Sequence, residues 1–186
     1  MAHAFDPTQR AQLVIAPASL HVLHAALVGA LGPAAASTLQ AAGYATGQEL
    51  AAAFRAWLDA EGDGAVESLA LPRFEQRLVT FFRDLGWGDL TLRAEGPVSV
   101  VEARDWAEWQ PRGDGEPPAS HFTTGMLAGF LGGLAEHPLA VLELEPVDGA
   151  EGTCRFLVGN ERVLNDVYDR LQQGDEVAAA LAAVGQ

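Results

Sequence analysis

Few side chains in this sequence are suited to chemistry, and they are scattered. The single cysteine, Cys154, stands in "GTCRFLV" between Thr153 and Arg155, a strand-like apolar setting. Burial there raises a thiol's pKa and makes it inert. Arg155 would lower it only by reaching the sulfur, and neighbouring strand residues point to opposite faces. The residue reads as a structural thiol. The histidines are His3, His21, His24, His121 and His137. His21 and His24 are three apart, so on a helix their rings could meet, but nothing nearby supplies a third and fourth ligand for zinc. Glu143 and Glu145 share one face of a strand, with Leu142 and Leu144 on the other. That is either an acid–base pair or the polar side of an edge or solvent-facing strand. The chain has no phosphate-binding glycine loop, dinucleotide fingerprint or nucleophile elbow. No catalytic constellation forms, and no cofactor and no metal are expected.

The elements that must position these residues follow from periodicity. Alanine-rich apolar sequence from about Pro7 to Leu31 reads as helical, interrupted at Pro17 and ended by "LGPAAAS". Ser37, three before Gln40, fits a capping box opening the next helix. Leu39, Gly43, Thr46, Leu50, Phe54 and Trp57 recur at steps of three and four on its face. Two glycines on or beside one helix face, each costing about 1 kcal/mol against alanine, point to a close backbone contact. "DAEGDGA" from Asp59 is a loop. Pro72 suits the first turn of a further helix with Phe74, Leu78, Phe81, Phe82 and Leu85 inward and Gly86 as its cap.

The period then changes to two: Leu90 and Leu92, a turn at "EGP", and Val98 to Glu102 make two strands. "QPRGDGEPPAS" is a loop. In "HFTTGMLAGFLGGLAEH" Gly125, Gly129 and Gly133 leave one helix face bare, for tight packing on a sheet or on the first helices, or to make room for something flat. Leu139–Leu144 and Thr153–Val158 read as a hairpin. Asn160 caps a helix carrying Val163, Leu164, Val167 and Leu171, and a short Ala-rich helix follows from Asp175. The layout is α+β, a small antiparallel sheet covered by helices. One domain is expected over 1–186: a helical half at about 7–86, a strand-and-helix half at about 87–172, and a short helix at about 175–184.

Composition narrows the function class. Apolar residues make up 49% of the chain, enough for a core. The 25 Asp and Glu against 11 Lys and Arg give a net charge of -14, which argues against a nucleic-acid partner and against an anionic membrane surface. One cysteine allows no internal disulfide. "MAHAFDPTQR" shows no signal peptide, and the apolar run Leu20–Leu31 is too short to span a bilayer. A cytoplasmic protein is expected.

The stretch from Ser120, "SHFTTGMLAGFLGGLAEHPLAVLELEPVDGAEGTCRFLV", resembles the 4-vinyl reductase domain family. Phe122, Gly125, Gly129, Glu143, Cys154 and Phe156 fall on its pattern. "LHVLHAALVGALGPAAASTLQAAGYATGQELA" and "FEQRLVTFFRDLGWGDLTL" look like its amino-terminal half. The resemblance implies a fold similar to the ligand-binding domains of TRAPP components and nitric-oxide-signalling proteins, with an internal hydrophobic pocket and often a homodimer. Members include a bacterial pathway protein for bacteriochlorophyll and the sensor domains of aromatic-responsive activators. Some bind zinc through family cysteines. Here Ser120 and Pro146 stand at two of those positions and only Cys154 remains, so one thiolate is left for a tetrahedral site.

The expected function is therefore non-enzymatic binding or sensing of a small hydrophobic molecule in an apolar pocket. Phe81, Phe82, Trp87, Trp106, Phe122, Met126 and Phe130 are its candidate lining, each otherwise ordinary core. The alternatives are a dimeric interaction module without ligand, its glycine-lined helices at the interface, or an accessory role in tetrapyrrole vinyl reduction, which would need an electron source from elsewhere.

Overall fold

The computed structural model describes residues 15–110, 120–144 and 152–184. Helix α1 runs Pro17–Leu31. Pro17 stands in the first turn of this helix, where its missing N–H is not needed, and the helical stretch expected before it lies outside the described residues. Gly32, at a positive φ of 55°, and Pro33 turn the chain directly into α2, Ala34–Glu61. This helix opens four residues earlier than a cap at Ser37 would set it. Ser37 lies within its first turn and its hydroxyl donates to the Ala34 carbonyl at 3.1 Å. Gly62 ends α2 in the left-handed conformation.

A single 3-10 turn, Val66–Ser68, leads to α3, Leu71–Asp84, with Pro72 in the first turn as expected. Gly86, at a φ of 80°, donates its N–H to the Arg83 carbonyl and closes the helix. Strands β1 (Asp89–Glu95) and β2 (Val98–Arg104) form the first hairpin. Helix α4 is His121–Ala135, followed by β3 (Ala140–Leu144) and β4 (Thr153–Gly159). Helices α5 (Glu161–Gln172) and α6 (Val177–Val184) complete the chain. The Asn160 side chain caps α5 by accepting from the Arg162 N–H at 2.9 Å.

The four strands form one antiparallel sheet in the order β1-β2-β4-β3. This is the α+β architecture expected from the change of period. Strand alternation sorts the sheet residues into two faces. Leu90, Leu92, Val101, Ala103, Cys154, Phe156 and Val158 face α2, α3 and α4 and join the larger core. Val98, Val100, Leu144 and Leu157 face α5 and α6, packing on Leu164, Val167, Ala180 and Leu181. Both faces are thus covered, and β3 turns Glu143 toward the main core while Leu142 and Leu144 lie under α5 and α6.

Helix α4 lies against α2 with almost no side chains between. A Cβ on Gly43 would sit 2.0 Å from the Phe122 carbonyl oxygen, and one on Gly47 2.1 Å from that of Met126. From the other side, Gly125 and Gly129 would place theirs 2.0 and 2.2 Å from the carbonyls of Gln40 and Tyr44. The bare glycine faces of the two helices meet each other, not the sheet and not a ligand. Arg55 fastens the far end of the pair, donating to the carbonyls of Gly133 and Leu134 at 3.0 Å each.

Candidate functional site

Helix α4 has a polar centre at its start and an apolar cleft at its end. The first N–H groups of a helix have no partners within it. Two buried carboxylates supply them here. Glu143 of β3 accepts from the Ser120 N–H and from its hydroxyl, both at 2.9 Å. Glu108, 3% exposed and just beyond β2, accepts from the N–H groups of Phe122 at 3.0 Å and Thr123 at 2.7 Å. The positive end of the helix dipole favours negative charge at both places. Trp106 joins the centre by donating its indole N–H to the Thr123 hydroxyl at 2.7 Å.

Histidines close this centre from the α1 side. His21 Nε2 is 2.9 Å from the Ala107 carbonyl, so it carries the proton there. The His24 ring stacks on His121, centroids 6.2 Å apart, with Nδ1 3.8 Å from Glu108. His21 and His24 thus diverge to different partners instead of forming a pair. Burial pushes the Glu108 pKa up, more than its hydrogen bonds from Thr123 and Phe122 pull it down, and nearby Glu143 adds to the rise. Burial also holds His24 down, helped by His21, and holds His121 down, helped by His24. The carboxylate beside His24 is beyond hydrogen-bond range, so its attraction does not overcome burial.

Ser120 and Cys154, which the resemblance expects at two family cysteine positions, meet here. Ser120 Oγ lies 3.5 Å from Cys154 Sγ, and Cys154 is 1% exposed. Pro146 and Glu145 lie outside the described residues. One thiol, one hydroxyl and a carboxylate whose two oxygens already hold Ser120 do not fit a tetrahedral zinc.

The aromatic residues expected to line a pocket pack mainly on one another. Phe82 meets Phe130 edge-on at 5.0 Å and Trp106 at 5.9 Å; Phe81 meets Phe82 at 5.6 Å. Trp87 stacks on Phe122 at 5.8 Å, and both are half-buried, while Met126 is fully buried among the core residues.

The open space lies at the other end of α4. An apolar cleft of about 640 Å3 runs between Leu69, Phe74 of α3, Leu92 and Ala94 of β1, Leu134 of α4 and Val158 of β4. None of the aromatic candidates lines it. Ala94 sits on the inner sheet face two residues beyond Leu92, yet it is exposed, because the helices stop short of this end of the sheet. Phe74 on the cleft wall touches Phe54 at 6.1 Å, and Phe54 meets Phe81 at 5.0 Å and Phe130 at 5.6 Å. The cleft therefore abuts the aromatic cluster through a single ring. Sequence reasoning missed Glu108, Thr123 and the cleft. The start of a helix at Ser120 could have pointed to a capping partner, but not to which carboxylate it would be.

No family profile matches the sequence, and no curated protein does. Solved structures match the fold. The phenol-responsive sensory domain of the transcription activator PoxR, solved with phenol, superposes with a TM-score of 0.58 at 17% identity, over 94% of this chain and 84% of that one. The two share a fold. A vinyl-4-reductase family protein from Methanocaldococcus jannaschii aligns over 85% of this chain and 97% of its own, with a TM-score of 0.49 at 17% identity. Among the described residues no helix is long and apolar enough to cross a membrane, and no group of three or more His, Cys, Asp and Glu side chains is placed to hold a metal ion.

Proposed function

We propose that this chain is a non-enzymatic domain that binds, and by binding senses, a small hydrophobic molecule. The observation that carries the reading is the apolar cleft, whose volume of about 640 Å3 falls in the range of small-molecule sites. The fold shared with a phenol-responsive sensory domain supports it. The buried carboxylates Glu108 and Glu143 serve as helix caps, which gives them a structural role. Phe81, Phe82, Trp87, Trp106, Phe122, Met126 and Phe130 are the proposed deeper lining, reached through Phe74 and Phe54 when the core opens.

Protein purified without added ligand, extracted with organic solvent and examined by mass spectrometry, is expected to release a hydrophobic compound. If the extract is empty, a panel of hydrophobic compounds at a hundredfold excess over Kd is expected to add about 2.7 kcal/mol of stability, which is about 5–10 °C in Tm at this chain length. An empty extract together with no shift from any compound sinks the reading.

Helix α1 favours self-association as a second reading. Its histidines face inward, and on the side away from them Val22 is 69% and Leu23 51% exposed. A homodimer through this face would cover it. Light scattering is expected to give twice the chain mass, and the Val22→Glu/Leu23→Glu variant a single chain mass; a monomeric wild type ends this reading.

A further inference from the structure

We infer that the cleft takes an uncharged, mostly apolar molecule larger than one aromatic ring, oriented by a single hydroxyl or carbonyl group at Ser99. The inference rests on the small-molecule reading above and adds the site and the ligand class. Size is the first argument. A cavity of about 150 Å3 holds a benzene ring, and this cleft is about 640 Å3. A single-ring compound such as phenol would leave most of its wall bare, so a fused-ring molecule or a long alkyl chain fits better.

Charge is the second argument. Among the described residues no Lys, Arg or His lines the cleft, and the single acidic one, Glu67, lies at the exposed rim within 3.6 Å of Arg55. A carboxylate or phosphate moved between Phe74, Leu92 and Leu134 would lose its water without gaining a counter-charge. The net charge of -14 opposes anions further. A cation would find no carboxylate among the described residues of the inner walls either.

Polarity is the third. The sheet register puts Ser99 opposite Ala94 on the inner face, so its hydroxyl borders the cleft beside the wall that Ala94 leaves open. The Asn160 carbonyl oxygen is already engaged in capping α5. The Asn160 amide N–H groups sit on an exposed residue at the rim, so among the described residues Ser99 is the inner-wall side chain able to give or take one hydrogen bond from a ligand.

The test is calorimetric titration of the full chain at pH 7.5 with 2-naphthol and 1-decanol, against 2-naphthoate, decanoate and phenol. Each neutral probe is expected to bind at least tenfold more tightly than its carboxylate, and 2-naphthol tenfold more tightly than phenol. Ala94→Trp and Ala135→Trp fill the cleft from two elements at exposed positions. Each is expected to lose at least tenfold in affinity with an unchanged circular dichroism spectrum. Ser99→Ala is expected to weaken 2-naphthol by about three- to tenfold, one hydrogen bond's worth.

Carboxylates that bind as tightly as their neutral partners overturn the inference. So does binding retained in both tryptophan variants, which would put the ligand elsewhere and leave the broader reading standing. A light-scattering mass altered by Ala135→Trp would make the cleft an interface between copies and also overturn it. Failure of every probe on the wild type, with an empty extract, removes both.

Discussion

Gly47→Ala is expected to destabilise the protein by about 3 kcal/mol or more, at the upper end of overpacking costs. The added methyl would lie 2.1 Å from the Met126 carbonyl oxygen and 2.6 Å from the Phe130 nitrogen. Both are backbone atoms of α4, so no rotamer change relieves the clash and the helices must separate. Separation would also strain the neighbouring approaches at Gly43, Gly125 and Gly129. Proteins of this kind hold about 5–15 kcal/mol in total, so Gly43→Ala/Gly47→Ala is expected not to fold. Helix propensity alone predicts the opposite sign, a gain of about 1 kcal/mol per substitution. Gly29→Ala in α1 supplies the comparison, since nothing lies within 4 Å of its added methyl, and that variant is expected to show the gain. Urea unfolding midpoints measure the two single variants, and circular dichroism shows whether the double variant folds. A Gly47→Ala midpoint equal to wild type would mean that the two helices do not touch in this way.

Glu108→Ala is expected to cost about 3 kcal/mol, because it leaves the N–H groups of Phe122 and Thr123 buried and unpaired, at about 1–3 kcal/mol each. A loss under about 1 kcal/mol would show that water or another group replaces the carboxylate. Glu108→Gln keeps an acceptor and removes the titration, which makes the pH profile informative. The Glu108 pKa is raised above its ordinary 4.5, so its contribution is complete below that value and is lost as pH rises through the folded value. The His24 and His121 pKa values are lowered from 6.5, so their contributions are complete above 6.5 and are lost as pH falls through the folded values. Between pH 4.5 and 6.5 the two effects oppose each other in the wild type. Stability of Glu108→Gln should therefore rise more steeply with pH across that window. Parallel curves would remove Glu108 as a titrating group.

The resemblance and the periodicities were a sound guide to architecture, and less of one to the site. The change from helical spacing around Phe74–Leu85 to alternation at Leu90–Leu92 is a local property, set by 3.6 or 2 residues per repeat. It carries directly into α3 and β1. The capping box at Ser37 was overridden because Gly32 and Pro33 make the turn into α2 themselves. Glu143 looked like half of a polar strand face. Its environment depends on α4, whose cap residue Ser120, 23 residues earlier in the chain, is brought onto it.

By itself the sequence determined the elements, the α+β class, the cap at Asn160 and the requirement that the glycine faces meet something closely. Each depends on residues within a turn or two of one another. Tertiary structure decided the rest. It chose α2 as the partner of the α4 glycines, set Glu108 and Glu143 on the open end of α4, and turned Val22 and Leu23 of α1 outward. It also decided where space was left. A cleft is a place that elements fail to fill, bounded here by four segments distant in sequence, and no local pattern of residues encodes such a gap.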